Sequence, residues 1–139
     1  IYGSSDEFFA RESGKVDLCL IPTGIQWHAR LTIAALQAGM NVLVEKPLAG
    51  SVADCQAIRR AEAAHQRWVA VGFQDIYGIE AQWLKAQLHG GVIGDLQEVR
   101  MVGLWPRPRA YFDRTAWAGR READGAAVLD SPLNNAFAH

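Results

Sequence analysis

The sequence has little of three features that mark particular classes of protein: long apolar runs, cysteine, and an excess of charge of one sign. No stretch approaches the roughly 18 uninterrupted apolar residues of a membrane-spanning helix, and the amino terminus, IYGSSDEFF, lacks the layout of a secretory signal. The net charge of -1 argues against nucleic acid or an anionic membrane as the main partner. These absences predict a soluble, cytoplasmic chain that binds neither nucleic acid nor membranes.

Cysteine and histidine are too sparse and too scattered to suggest a metal centre. Cys19 and Cys55 lie far apart in the sequence, each at an apolar position of a predicted strand or helix, which favours buried free thiols over a disulfide, a zinc site or a nucleophile. The four histidines show no metal-ligand spacing. They are His28, His65, His89 and His139. We therefore predict no metal site.

Apolar residues make up 50% of the 139 residues, which is enough for one globular core. Three short apolar runs, at 16–21, 40–44 and 68–73, predict buried strands. Amphipathic segments at 26–38 and 51–65 predict helices between them. Strands that alternate with helices form right-handed crossovers, so the three strands should be parallel. Shorter helices are expected at 6–12 and 78–88.

The remainder of the chain has a different pattern. Residues 95–105 alternate between apolar and polar, which predicts a strand with one wet face and the start of a second, antiparallel sheet. Residues 106–124 have no periodicity and contain five arginines. Such a loop is usually functional or disordered, so the guanidinium groups either hold an anionic substrate or are solvated.

The stretch at 41–50, NVLVEKPLAG, has the strongest chemical pattern. A buried strand ends in Glu45 and Lys46, at the edge where open α/β sheets bind their ligands. Pro47 keeps Lys46 out of helical geometry and permits a cis peptide bond. These ten residues alone leave two interpretations of Lys46 open: it is either a positioned functional lysine or an ordinary solvated one.

Several segments together resemble the Gfo/Idh/MocA oxidoreductases, which include glucose-fructose oxidoreductase and inositol dehydrogenase. The segments are VDLCLIPTGIQWH, ALQAGMNVLVEKPLAGS, VGFQ, GGVIGDLQEV and DGAAVLDS. The resemblance implies an α/β fold, in which residues 1–73 are the second half of a Rossmann parallel sheet that binds NAD or NADP. Residues 74–139 would begin an α+β domain with an open antiparallel sheet, which serves substrate binding and oligomerisation. Homo-oligomers, dimers or tetramers, are implied as well.

The activity implied by the resemblance is hydride transfer between a nicotinamide cofactor and a hydroxyl of a sugar, cyclitol or related polyol. Lys46 matches the family lysine beside the nicotinamide and the substrate hydroxyl, where it would carry the hydroxyl proton. Glu45 and Pro47 would shape the cofactor edge.

Further cofactor-binding residues are implied on the neighbouring strands. Pro22, Thr23 and His28 match the family's cofactor-lining turn and the helix after it, and Gln74 matches a polar residue after the third strand. A purely structural interpretation is also open for three of these residues. His28 would be a packed helix residue, Thr23 would begin the helix, and Gln74 would be a solvated amide.

Substrate and catalytic residues are implied near the end of the chain. Asp130 matches the aspartate of the family's catalytic helix region, or simply caps that helix. Four residues later the family usually has a histidine, and here the residue is Asn134, which can hydrogen-bond a hydroxyl but cannot carry its proton near neutral pH. Trp117 and Trp105 could stack on a sugar face or pack in a core.

Two more departures from the family pattern bear on function. The glycine-rich turn that cradles the pyrophosphate does not occur in these residues, so we expect a portion of a protein of more than twice this length that binds a dinucleotide poorly alone. Asp75 and Ile76 stand where the family often has an arginine. The enzyme remains the main prediction. Asn134 is the main support for the first alternative, a non-catalytic sensor of sugars or nucleotides, and the second alternative is an inert fragment.

Overall fold

A three-stranded parallel sheet forms the centre of the structure, a computed structural model that describes residues 1–102, 104 and 106–128. The strands lie in the order β1 (Leu18–Ile21), β2 (Asn41–Glu45) and β3 (Val69–Gly72). Helix α1 (Ser5–Glu12) precedes the sheet, and α2 (Ile25–Gln37) and α3 (Val52–His65) connect its strands. The predicted parallel βαβαβ arrangement is confirmed.

The core lies between one face of the sheet and helix α2. Along β2, Val42 and Val44 are fully buried whereas Leu43 between them is exposed, because successive strand residues face opposite sides of a sheet. Full burial of a valine or leucine contributes about 1.5–3 kcal/mol. The core residues are Ile21, Ala35, Leu36, Ala38, Met40, Val42 and Val44.

The register of the sheet aligns the ends of its strands. Ile21 pairs with Val44, and Glu45 pairs with Gly72. Because neighbouring strands lie about 4.8 Å apart, the residues that follow each strand meet at one edge. We call this edge the carboxyl edge, and it consists of residues 22–24, 45–47 and 72–74.

Helix α3 begins after Ser51, which is its N-terminal cap. The Ser51 hydroxyl oxygen accepts a hydrogen bond from the Asp54 backbone N–H at 3.1 Å. Ser51→Ala removes this acceptor, so we expect a loss of about 1 kcal/mol in the free energy of unfolding, measured by urea denaturation. Ser51→Thr keeps the acceptor and should lose less than half as much; equal losses would contradict the capping role.

Beyond β3 the chain is less regular. A 3-10 turn (Gln74–Tyr77) and helix α4 (Ile79–His89) come first, and a short helix, α5 (Arg109–Asp113), follows later. The antiparallel sheet that follows the parallel one is a hairpin of β4 (Glu122–Ala123) and β5 (Ala126–Ala127).

The strand expected at 95–105 is not formed over residues 95–102, and that prediction is wrong there. A strand exists only through ladder hydrogen bonds to a neighbour, and among the described residues no strand lies beside this segment. Its apolar side chains are exposed, for example Val99 and Met101. The alternating pattern is therefore present, but among the described residues no neighbouring strand pairs with this segment.

The arginine-rich segment is also more ordered than its sequence suggested. The guanidinium groups of Arg107 and Arg114 lie 4.5 and 4.1 Å from the centre of the Tyr111 ring, and Arg109 pairs with Asp113 one turn along α5 at 3.7 Å. A helix of five residues is too short to show a 3.6-residue period, which is why the sequence indicated a structureless loop.

Candidate functional site

A small cavity opens at the carboxyl edge, between the ends of all three strands. Its volume is about 200 Å³, which is less than the roughly 300–1,000 Å³ of sites that enclose whole ligands. The cavity therefore suits one ring of a larger ligand. Its lining residues are Leu20, Ile21, Pro22, Leu43, Val44, Glu45 and Gly72.

The segment Glu45-Lys46-Pro47 forms the centre of the carboxyl edge. The peptide bond between Lys46 and Pro47 is cis, as the sequence permitted. The Glu45 carboxylate folds back and accepts a hydrogen bond from the Lys46 backbone N–H at 3.1 Å. Gly72 lies beside this carboxylate, and a Cβ built there would be 3.6 Å from Glu45 Oε1. The absence of a side chain at residue 72 therefore keeps this part of the cavity open.

The carboxyl edge brings together the cofactor-binding residues predicted from the sequence. Pro22 and Glu45 line the cavity, and Lys46 follows Glu45 directly and is half-buried. Thr23 is exposed in the turn between β1 and α2, and Gln74 is exposed at the start of the 3-10 turn after β3. Sequence reasoning did not single out Gly72, although a glycine at a strand end is a recognised sign of close approach to a ligand.

His28 is placed differently, because it is fully buried beneath the carboxyl edge. Its Nδ1 lies 2.7 Å from the carbonyl oxygen of Pro47, and its Nε2 lies 3.0 Å from that of Thr23. Both ring nitrogens thus contact main-chain carbonyl groups. The side chain joins the turn after β1 to the loop after β2.

The hairpin of β4 and β5 packs against this same region. Asp124 and Gly125, both with positive φ (50° and 75°), form its turn, and Gln26 Nε2 donates a hydrogen bond to Asp124 Oδ2 at 3.4 Å. A Cβ on Gly50 would lie 1.7 Å from the carbonyl oxygen of Ala127. This hairpin was not predicted from the sequence, although Asp-Gly is a strong signal for a two-residue turn.

Other predicted residues can be located only in part. Asp130, Asn134 and Trp105 lie outside the described residues. Trp117 is half-buried, and the guanidinium group of Arg114 lies 5.8 Å from the centre of its ring. Sugar stacking on Trp117 therefore stays a prediction.

The remaining chemical groups do not form a second centre in the described part of the chain. Within residues 1–102, 104 and 106–128, no three histidine, cysteine, aspartate or glutamate side chains lie close enough to hold a metal ion. Cys19 and Cys55 are free thiols, and burial raises the pKa of Cys19, which keeps that thiol protonated and unreactive. No helix among the described residues is both long and apolar enough to span a membrane.

Comparison with known proteins gives one consistent family. The family model GFO_IDH_MocA, an oxidoreductase family with an NAD-binding Rossmann fold, matches residues 2–73. The chain is 46% identical over 76 residues to inositol 2-dehydrogenase of Gluconacetobacter diazotrophicus, a match that covers 54% of this chain and 23% of that protein.

Solved structures agree with this family. The WlbA dehydrogenase from Bordetella pertussis, in complex with NADH and UDP-GlcNAcA, superposes with a TM-score of 0.79 at 26% identity, covering 85% of this chain and 34% of its own. An inositol dehydrogenase homolog from Azotobacter vinelandii, complexed with NAD+, superposes with a TM-score of 0.64 at 25% identity. This match covers 68% of this chain and 25% of the homolog. The chain thus spans about a third or less of the length of these relatives.

Proposed function

Because this chain belongs to the GFO_IDH_MocA oxidoreductase family, we propose that it forms part of an NAD-dependent oxidoreductase that acts on a ring hydroxyl of a sugar or cyclitol. One observation carries the proposal: the cavity between the ends of the parallel strands is bordered by Glu45, directly before Lys46. Open α/β sheets bind their ligands at this edge.

The cavity fits the nicotinamide end of the cofactor. Leu20, Pro22 and Leu43, which are exposed, give it an apolar wall that suits a flat ring, and the Glu45 carboxylate adds a polar group. A volume of about 200 Å³ has room for a ring but not for a dinucleotide. The pyrophosphate would be held elsewhere, because these 139 residues contain no GxGxxG turn.

Lys46 is the proposed acid/base group. The nicotinamide, when bound, supplies the hydride acceptor or donor. Oxidation of a hydroxyl also releases a proton, and an amine beside that hydroxyl can take the proton, or return it when a carbonyl is reduced. The bond from the Lys46 backbone N–H to the Glu45 carboxylate supports this role, because it helps to fix the backbone that carries the amine.

The substrate class follows from what the relatives share. One relative is an inositol 2-dehydrogenase, and another was crystallised with UDP-GlcNAcA; both names denote polyhydroxylated rings. We therefore propose a secondary hydroxyl of such a ring as the reacting group. Turnover of myo-inositol, measured against that of a nucleotide sugar by NADH absorbance, would separate the two kinds of ring.

Gly72→Val tests whether the cavity is the nicotinamide site. An added Cβ makes only ordinary contacts, the nearest at 3.5 Å to Val44 O, so the fold should persist while the valine methyl groups fill the cavity. We expect the Kd for NADH, measured by fluorescence titration of the protein that carries this chain, to rise at least tenfold. Gly3→Val, whose Cβ meets only the flexible end of Glu7, is the control. An unchanged Kd in Gly72→Val would exclude this cavity as the site.

Two further expectations belong to the same proposal. We propose that the boundary between the cofactor domain and the next domain lies between residues 73 and 74, and we expect the protein to be a homo-oligomer. If the protein binds NADH and turns over no polyol, the sensor alternative replaces the enzyme.

A further inference from the structure

One buried side chain connects the two segments on which the proposed function depends. His28 has no exposed surface, and its ring spans the space between Pro47 O, at 2.7 Å, and Thr23 O, at 3.0 Å. One carbonyl belongs to the loop that carries Lys46. The other belongs to the turn that begins with the cavity residue Pro22.

The two contacts place one rigid ring between two main-chain carbonyl groups. A carbonyl oxygen can only accept, and a neutral imidazole donates from only one nitrogen. In either tautomer the ring therefore donates a hydrogen bond to one of the two loops and packs closely against the carbonyl group of the other.

We propose that His28 is a positioning residue that holds the turn after β1 and the Glu45-Lys46-Pro47 loop at a fixed separation. The structural part of this proposal stands alone, and its value for catalysis rests on the proposed function. Both ring nitrogens face main-chain carbonyl groups, so the role proposed for His28 is to position the two loops and not to contact the cofactor directly.

An ordinary packing role predicts different behaviour from a positioning role. A phenylalanine at residue 28 would fill a similar volume but would leave the carbonyl groups of Thr23 and Pro47 without this donor. Packing alone would then be largely kept, and the two loops would lose their link. Glutamine, whose amide group carries two protons, can still donate and should restore part of the link.

The positioning role is tested by amide hydrogen exchange, with Leu36→Ala as the matched control. Leu36 is fully buried on the same helix, so its truncation destabilises the core without touching either loop. In His28→Phe, exchange at Trp27 and Lys46 should rise at least tenfold more than exchange at Val42, whose N–H lies in the sheet and bonds to Trp68 O at 3.0 Å. In Leu36→Ala the three amides should rise together. The same pattern in both variants would reduce His28 to a packing residue.

A second measurement separates this inference from the proposed function. NADH titration of the unsubstituted protein tests the function, whereas hydrogen exchange needs no cofactor. If NADH does not bind and the exchange results for His28→Phe are as expected, the proposed function fails and the link stands. If NADH binds and turnover occurs, His28→Phe should lower kcat at least tenfold at saturating cofactor, with partial recovery in His28→Gln. If His28→Phe keeps the full kcat, the link between the two loops does not contribute to catalysis.

Discussion

Replacing Gly50 with alanine is expected to release the β4–β5 hairpin from the body of the domain. The new Cβ would lie 1.7 Å from the carbonyl oxygen of Ala127 and 2.5 Å from its carbon. These are backbone atoms, so no side chain can turn aside to make room. The hairpin itself must move, and Val128, which is fully buried beside it, would move with it.

The size of the effect follows from what the hairpin loses. Full burial of one valine is worth about 1.5–3 kcal/mol, and the exposed contact between Gln26 and Asp124 adds little. We therefore expect Gly50→Ala to lower the free energy of unfolding by about 2–3 kcal/mol. Urea denaturation gives this value, and methyl NMR of Val128 should show the loss of its buried environment.

Gly72→Ala is the matched control for this stability measurement. The chemical change is the same, but the nearest atom to the added Cβ is Val44 O at 3.5 Å, an ordinary contact distance. Its stability should stay within about 0.5 kcal/mol of the unsubstituted protein. If the two alanine variants prove equally stable, the close approach of Gly50 and Ala127 does not exist in solution.

The parallel sheet and its helices could be predicted from the sequence because each element carries its own local signal. Apolar runs of four to six residues marked the strands, and β1 to β3 lie within the predicted ranges or one residue beyond them. Ser51 with Asp54 in the first turn marked the start of α3. Chirality then fixed the strands as parallel, since right-handed crossovers are nearly universal.

The elements after residue 73 were harder to predict because their structure depends on distant partners. Residues 95–102 alternate like a strand, yet alternation specifies which face is apolar and not whether a neighbour exists to pair with. The hairpin at 122–127 shows the opposite case. Its strands have only two residues each, too few for a pattern, and the Asp124-Gly125 turn was its only signal.

The residues of the candidate site also differ in how far the sequence predicts their placement. That Pro22, Glu45 and Gly72 would meet follows from their positions at the ends of parallel strands, which the sequence supplies. The role of His28 does not follow, because its two partners are backbone carbonyl groups at residues 23 and 47. Main-chain acceptors are the same at every residue, so no sequence pattern identifies them.

Replacing Lys46 with methionine is expected to lower kcat by a factor of about 10²–10⁴, the usual contribution of a positioned acid/base group. Methionine keeps most of the length and apolar character of the lysine stem, so NADH affinity and stability should change little. Steady-state kinetics with the best polyol substrate gives the effect on kcat. Lys85→Met, at an exposed position of α4, is the control and should keep full activity.

Two further variants of Lys46 distinguish proton transfer from charge stabilisation. Arginine keeps a positive charge but cannot release a proton in a protein, so Lys46→Arg should be as inactive as Lys46→Met if the amine carries the hydroxyl proton. Lys46→Ala should regain activity when a small primary amine is added, because the free amine can occupy the vacated space and accept the proton. High kcat in Lys46→Arg would instead assign Lys46 an electrostatic role, and full kcat in Lys46→Met would remove it from the mechanism.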